Sequence, residues 1–248
     1  MTGMMILRAR WRFSLSKLVV MVCLLGGCGC SCEVLQKRAM RGHLQALRSD
    51  DANARYDAAR TLKRVGDVSA IPALLEVLAG DPVPEVREEA AKAIGGIGSR
   101  QTDGAGRVME GYRVLIARAR EDEVLHVRRA AVRALSRMPA SASSEVKELV
   151  INGLLGLMHI RGAADDPSAF HDTVIHCAAS DTLGEMGMPA VPGLRSLLTD
   201  DDWRVRWTVL RQLQAINPPG LREDAARLLD DPHSIVQNAA QRIVDAVP

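Results

Sequence analysis

Aromatic side chains are nearly missing from this chain: Phe, Trp and Tyr together make up 3% of its 248 residues. A thick globular core normally fills its volume with such rings. Leu, Val, Ile and Ala must do so here, which favours thin helical layers over one deep core. Acidic residues are absent from the first 32 positions, whereas Arg8, Arg10, Arg12 and Lys17 all precede Cys28. Taking those four from the 32 Lys and Arg leaves 28 against 30 Asp and Glu, a net charge of −2 where the whole chain has +2. The basic balance of the whole chain is therefore no argument for a polyanion, and no nucleic-acid partner is expected. Catalytic signatures are also missing. There is no P-loop, no G-x-S-x-G, no H-E-x-x-H, and no His-Glu dipeptide anywhere.

Cysteine is scarce too, but it is concentrated. Four of the five cysteines lie between Cys23 and Cys32, within "LLGGCGCSC" and just before it. Upstream come the four basic residues, then the apolar run "LVVMVCLL" from Leu18 to Leu25, then Gly26 and Gly27. Basic, apolar, small is the order of an export signal. The apolar run falls short of the ~20 residues of a membrane-spanning helix. Leu25, Gly26, Gly27 and Cys28 resemble the lipobox of bacterial lipoproteins. That resemblance implies cleavage after Gly27 and a diacylglycerol on the Cys28 thiol, with several acyl chains anchoring the protein at ~0.8 kcal/mol per buried CH₂. Three rival readings stay open for Cys28, Cys30 and Cys32: a soft-metal site, a strained disulfide, or an uncleaved anchor. Gly29 follows the lipidation site where enterobacterial inner-membrane lipoproteins carry Asp. The resemblance thus implies the periplasmic face of the outer membrane.

The remainder is a repeat. An apolar residue, then small apolar residues, then Leu, Ile or Val eight positions on recur in "ARYDAARTL" from Ala54, "VREEAAKAI" from Val86 and "VRRAAVRAL" from Val127. The pattern returns in "IHCAASDTL" from Ile175, "VRWTVLRQL" from Val205 and "VQNAAQRIV" from Val236. Offsets 0, 4 and 8 are apolar in all six, which makes one helical face. The unit is about 31 residues, lengthened by "SRQTDGAG" (Ser99–Gly106) and "RGAADDPSAF" (Arg161–Phe170) in the third and fourth units. A further apolar helix precedes the marked ones, as in "IPALLEVLAGD" (Ile71–Asp81), "VPGLRSLLTDD" (Val191–Asp201) and "LREDAARLLDD" (Leu221–Asp231). Asp81, Asp122, Asp200 and Asp231 each lie five residues before the repeat's Val, placed to cap or brace the second helix.

Two helices per unit, with Asp81–Gly98 reading D-x-x-x-x-V-R-x-x-A-A-x-A-I-G-x-I-G and "LGEMG" repeating its ending at Leu183, resemble short bacterial HEAT repeats of the phycobilisome-lyase type. The resemblance spans about Leu44 to Val247. It implies an all-α solenoid of about six helix-pair repeats, in which stacked units form one continuous core. The expected organisation is a signal peptide at 1–27, a lipidated tether at 28–40 and the solenoid at 41–248.

With the core offsets removed, two rows remain. Offset 1 holds Arg55, Arg87, Arg128, His176, Arg206 and Gln237. Offset 6 holds Arg60, Lys92, Arg133, Asp181, Arg211 and Arg242. The offset-1 arginines suit a ladder to the loop aspartates. The offset-6 row is either a solvated helix edge or a basic groove on the side that second helices line, and Asp181 interrupts it. Trp203 and Trp207 share a face at i and i+4; they either cover a junction between repeats or, with Arg206 and Arg211, form a protein-binding patch. The candidate partner-binding residues are therefore Trp207, Arg206, Arg211, Arg133, Lys92 and Arg60. His171, Asp172, His176 and Cys177 cluster near the fourth unit's insert, but His171 and His176 are spaced poorly for one face, so no metal is expected. No cofactor or catalytic residue is expected either. The missing His-Glu pairs argue against the di-iron chemistry of some HEAT-type enzymes, and an export signal argues against cytosolic pigments or DNA. The expected function is a membrane-anchored, non-catalytic scaffold for a protein partner. The alternatives are a lyase-type HEAT enzyme and a ligand-responsive regulatory subunit.

Overall fold

The computed structural model describes residues 29–100, 105–160 and 169–246. The chain divides into two compact units, Met1–Gly42 and His43–Pro248. In the first, the described part is helical from Gly29, in α1 (Gly29–Ala46), which runs on past the boundary. The expected tether is thus a helix wherever it is described. Gly27 and Cys28, with the rest of the expected signal peptide, lie outside the described residues, as do 101–104 of the first expected insert and 161–168 of the second.

The second unit is a stack of helix pairs. Its helices are α2 (Ala52–Val65), α3 (Ile71–Gly80), α4 (Pro84–Gly98), α5 (Ala105–Glu121), α6 (Leu125–Leu135), α7 (Ser144–Met158), α8 (Ala169–Met186), α9 (Val191–Ser196), α10 (Trp203–Ile216), α11 (Leu221–Ala226) and α12 (Ser234–Ala246). The described residues contain no strand. All six repeat segments are the even-numbered helices. Each even helix packs on the next even one, α2 on α4 through to α10 on α12, and the odd helices α3, α5, α7 and α9 pack on one another likewise. Every second helix is therefore sandwiched between its own partner and its neighbours. This two-layer stack is the all-α solenoid that the periodicity implies.

The offsets account for the packing. Ala58 and Leu62, Val86, Ala90 and Ile94, Val127, Ala131 and Leu135, Ile175, Ala179 and Leu183, and Val205, Val209 and Leu213 are all buried. Each buried Leu or Ile contributes ~1.5–3 kcal/mol of transfer free energy. The alanines at offset 4 let backbones approach. Gly95, at offset 9, carries this furthest: a Cβ there would stand 2.7 Å from the Ala134 Cβ and 2.8 Å from its Cα. Gly184, at the same offset in the fourth unit, faces the tip of the Gln212 side chain of the next second helix. The Gly endings of "AIGGIG" and "LGEMG" are thus contact points between successive second helices.

Starts and stops follow local chemistry. Pro72, Pro84 and Pro192 fall in first turns, where their missing N–H costs nothing. The Asp51 and Asp202 side chains accept from the N–H two residues on and open α2 and α10. The last two first helices end earlier than their apolar patterns predict. After α9 the chain tightens to a 3₁₀ turn, Leu197–Thr199. After α11, bonds such as Leu228 N–H to the Ala225 carbonyl at 2.9 Å take over. In both places the backbone must turn sharply to deliver Asp200 and Asp231 into the joints between units.

Candidate partner-binding surface

The joints decide which charges are available to a partner. Arg55 donates through Nε and Nη2 to both carboxylate oxygens of Asp81, at 2.6 and 3.0 Å. Arg87 does the same to Asp122 at 3.0 and 3.0 Å, and Arg206 to Asp231 at 2.7 and 2.7 Å. Each arginine's Nη1 turns back to loop carbonyls before its own helix: Ser49 and Asp50 for Arg55, Asp81 for Arg87, Asp200 and Asp201 for Arg206. One side chain thus ties its own unit to the following one. The aspartates complete the clamp differently from a helix cap. Their Oδ1 atoms, and that of Asp200, accept from the backbone N–H two residues on (Val83, Val124, His233 and Asp202), which holds the loop and leaves the starts of α4 and α6 without a side-chain cap.

The charges respond as this geometry requires. The hydrogen bonds to Asp81, Asp122 and Asp231 push the guanidinium pKa values of Arg55, Arg87 and Arg206 further up, against burial. Burial works to raise the Asp81 carboxyl, but Arg55 and the Val83 N–H outweigh it and hold the group below the usual range. The Arg206 hydrogen bonds hold Asp231 down in the same way. Arg206 is therefore not the partner-facing residue expected from its place beside Trp207. Its side chain is 11% exposed and fully committed to the joint. The third and fourth units vary the theme. Arg128 is buried and donates to the Ala119 carbonyl at 3.0 Å, and His176, like Gln237 in the sixth unit, stands where the other four have arginine. Asp200, with a side chain 3% exposed, lies 3.1 Å from His159 Nδ1.

The offset-6 row faces outward but is not uniformly free. Arg60, Arg133, Arg211 and Arg242 are exposed. Lys92 is half-buried between Glu88 at 2.7 Å and Glu89 at 3.3 Å. These two carboxylates raise its pKa against the lowering effect of burial. Lys92 is accordingly neutralised within its own helix and does not extend a basic stripe. Glu89 is also paired with Lys63 of the preceding unit. Asp181 accepts from Gln212 Nε2 at 3.1 Å, a bond between units and not merely a break in the row.

The two tryptophans divide the roles weighed for them. Trp203 stacks on His233 of the next loop, with ring centroids 3.7 Å apart and planes 6° from parallel, so it covers a junction. Arg204 lies over the same ring, 5.2 Å from its centroid. Trp207 is half-buried, with Arg211 over its ring at 5.0 Å. The Trp203–His233 pairing was hidden in the sequence because His233 lies 30 residues away and outside the repeat's apolar pattern.

Among the described residues no three His, Cys, Asp or Glu side chains converge as metal ligands. The side chains of His171 and Asp172 lie outside the described residues, and Cys177 is a free, exposed thiol. The best-formed depressions, along Asn217–Glu223 and around His159, Ser196 and Asp200, are open to solvent. No described helix is long and apolar enough to cross a membrane.

A stack of helix pairs with arginine–aspartate joints defines a helical-repeat solenoid, a class of protein that presents ridged surfaces to partners. A model of the family described as HEAT repeats matches residues 41–105 and 171–243, more than half of the chain. The chain belongs to the HEAT-repeat family. No curated protein matches it. Among solved structures it is similar to an engineered protein at 23% identity, over 84% of this chain and 95% of that one, with a TM-score of 0.48. It is also similar to a designed armadillo repeat protein in complex with peptide (KR)4, at 20% identity over 84% and 99% of the two chains, with a TM-score of 0.44. A third is the complex of CpcE and CpcF of phycocyanin lyase from Nostoc sp. PCC7120, at 22% identity over 81% and 74%, with a TM-score of 0.48.

Proposed function

We propose that this chain is a lipid-anchored, non-catalytic interaction scaffold of the bacterial cell envelope, presented to a protein partner at the periplasmic face of the outer membrane. The observation that carries the scaffold reading is the division of labour among its arginines. Arg55, Arg87 and Arg206 are spent on holding units together, whereas Arg60, Arg133, Arg211 and Arg242 stay at the surface, Arg211 over the ring of the half-buried Trp207. The depressions described are shallow and lined by loop residues, which suits extended contact better than enclosure of a small molecule. The anchor reading is supported by the order of charge, apolar run and glycines before Cys28.

Two experiments test the two parts separately. In-cell photocrosslinking from position 207 is expected to capture one protein partner, and Trp207→Ala to lose it while the fold is kept. Global unfolding of Trp207→Ala, or an unchanged partner profile, counts against the patch. For the anchor, Cys28→Ala is expected to release the protein from the membrane fraction; continued membrane association refutes lipidation there.

A further inference from the structure

Two second helices, α6 and α10, carry arginines and no acid, but in α10 Arg206 is held in a joint and Arg204 and Arg211 lie over Trp203 and Trp207. α6 reads LHVRRAAVRAL, with three arginines, one histidine and no acid. Arg128 is turned into the structure, as its bond to Ala119 shows. Arg129, Arg133 and Arg137 are all exposed, at successive fourth positions. Arg137 lies just past the helix end. Its N–H donates to the Ala134 carbonyl at 3.3 Å, in a tight turn that continues directly from α6. At a rise of 1.5 Å per residue the backbone positions of Arg129 and Arg133 stand about 6 Å apart along α6. Among the described residues none of the three has an ion-pair partner.

Two acids on the flanking second helices have partners of their own. Glu88 of α4 holds Lys92 at 2.7 Å and lies 3.9 Å from His126. Asp181 of α8 accepts from Gln212. The basic row is therefore one helix wide, with carboxylate-bearing helices on both sides. A bilayer surface or a nucleic acid would press its phosphates against those carboxylates as well as the arginines. A narrow acidic polypeptide would not. Guanidinium groups also match carboxylates two bonds at a time. Acids at every fourth position of a helix recur at about 6 Å, the axial spacing of Arg129 and Arg133, whereas alternate residues of an extended chain recur at ~6.6–6.8 Å.

We propose that the Arg129–Arg133–Arg137 row docks an acidic helix of the protein partner, one whose Glu or Asp residues recur at every fourth position. The proposal rests on the scaffold reading and names the chemistry of its partner.

The test is fluorescence anisotropy with the full chain in detergent at low salt. The probe is a labelled alanine-based helical peptide carrying Glu at three successive fourth positions, compared with its Gln counterpart. The Glu peptide is expected to bind at least tenfold more tightly than the Gln peptide, and to be released at 0.5 M salt, since exposed charge pairs are screened within about 10 Å already at 0.1 M. The combination Arg129→Gln, Arg133→Gln and Arg137→Gln is expected to remove that tenfold preference. Arg107→Gln with Arg222→Gln, exposed positions on the first helices α5 and α11, is expected to leave binding within twofold. Thermal melting checks that each variant folds; if the triple variant does not, Arg133→Gln alone is expected to weaken binding about threefold. Equal binding of the two peptides overturns the proposal. So does unchanged binding by the folded variants, or arginine-dependent binding of phosphatidylglycerol vesicles without binding of the peptide. If the peptide fails while crosslinks from position 207 persist, the scaffold reading stands and the α6 row is not its dock.

Discussion

Arg206→Met isolates one joint. The substitution keeps much of the aliphatic stem but deletes four hydrogen bonds: two to Asp231 at 2.7 Å, and two to the Asp200 and Asp201 carbonyls at 2.6 and 3.1 Å. The Asp231 side chain is 2% exposed and would keep its charge with only the His233 N–H to stabilise it. Removing one member of a buried pair costs about 3–5 kcal/mol, because the other charge stays desolvated. The lower end applies here, since Arg206 itself retains slight solvent contact. Adding Asp231→Asn removes the stranded charge and is expected to recover about 1–2 kcal/mol. Because units interact mainly with their neighbours, the loss should appear locally. Hydrogen exchange is expected to accelerate in α11 and α12, while α2 to α6 keep their protection. The pH dependence has a definite sign. The folded Asp231 carboxyl is held below its ordinary value, so its contribution is present above about pH 4. That contribution disappears as pH falls through the folded value, and the gap between wild type and variant should narrow in acid. A loss under about 1 kcal/mol at pH 7, or exchange that accelerates equally everywhere, refutes the clamp as the source of cohesion between units.

Gly95→Val is expected to cost at least ~1–3 kcal/mol in urea denaturation, because the clash falls on the Ala134 backbone, which cannot rotate away. Gly42→Ala, with nothing within 4 Å of the added methyl, is expected to be neutral or stabilising. Burial pushes the Tyr112 phenol up to about 12, so its protonated form stabilises the fold fully below about pH 10. About 2–3 kcal/mol should drain away as pH rises from 10 to 12, and Tyr112→Phe should abolish that part of the alkaline transition. His233→Ala unstacks Trp203 and is expected to change its fluorescence intensity and emission maximum, with a small loss of stability at the last joint.

The repeat was legible because one helical face needs apolar residues at fixed offsets, and Ala54 through Val244 supply them six times over. The role of Arg55 and Arg87 was legible for the same reason: an arginine one residue after the apolar start recurs in four units, and an aspartate five residues before the start recurs in four, so the two can face each other across a joint. Arg206 follows that rule, yet adjacency to Trp207 suggested a surface role. Position in the repeat outweighed proximity in sequence. Offset 6 taken alone places Lys92 in a basic row. The neutralising Glu88 and Glu89 sit at other offsets of the same helix. The same narrowness passed over Arg129 and Arg137, which join Arg133 only when the whole exposed face of α6 is read. The early ends of α9 and α11 escaped notice because their apolar pattern continues past the point where the backbone tightens.

The joints also separate connection from distance along the chain. Arg55, Arg87 and Arg206 reach their aspartates across 26, 35 and 25 residues, yet all three bridge both carboxylate oxygens at 3.0 Å or less. Ten extra residues between two ends therefore leave the fitting between them unchanged. Sequence can be added, lengthened or replaced in the loops without retuning the stack, and a unit copied in frame would arrive with a donor for the unit after it and an acceptor for the one before. For a lineage of such proteins, growth by duplication and novelty by loop insertion are open routes, each leaving the other undisturbed.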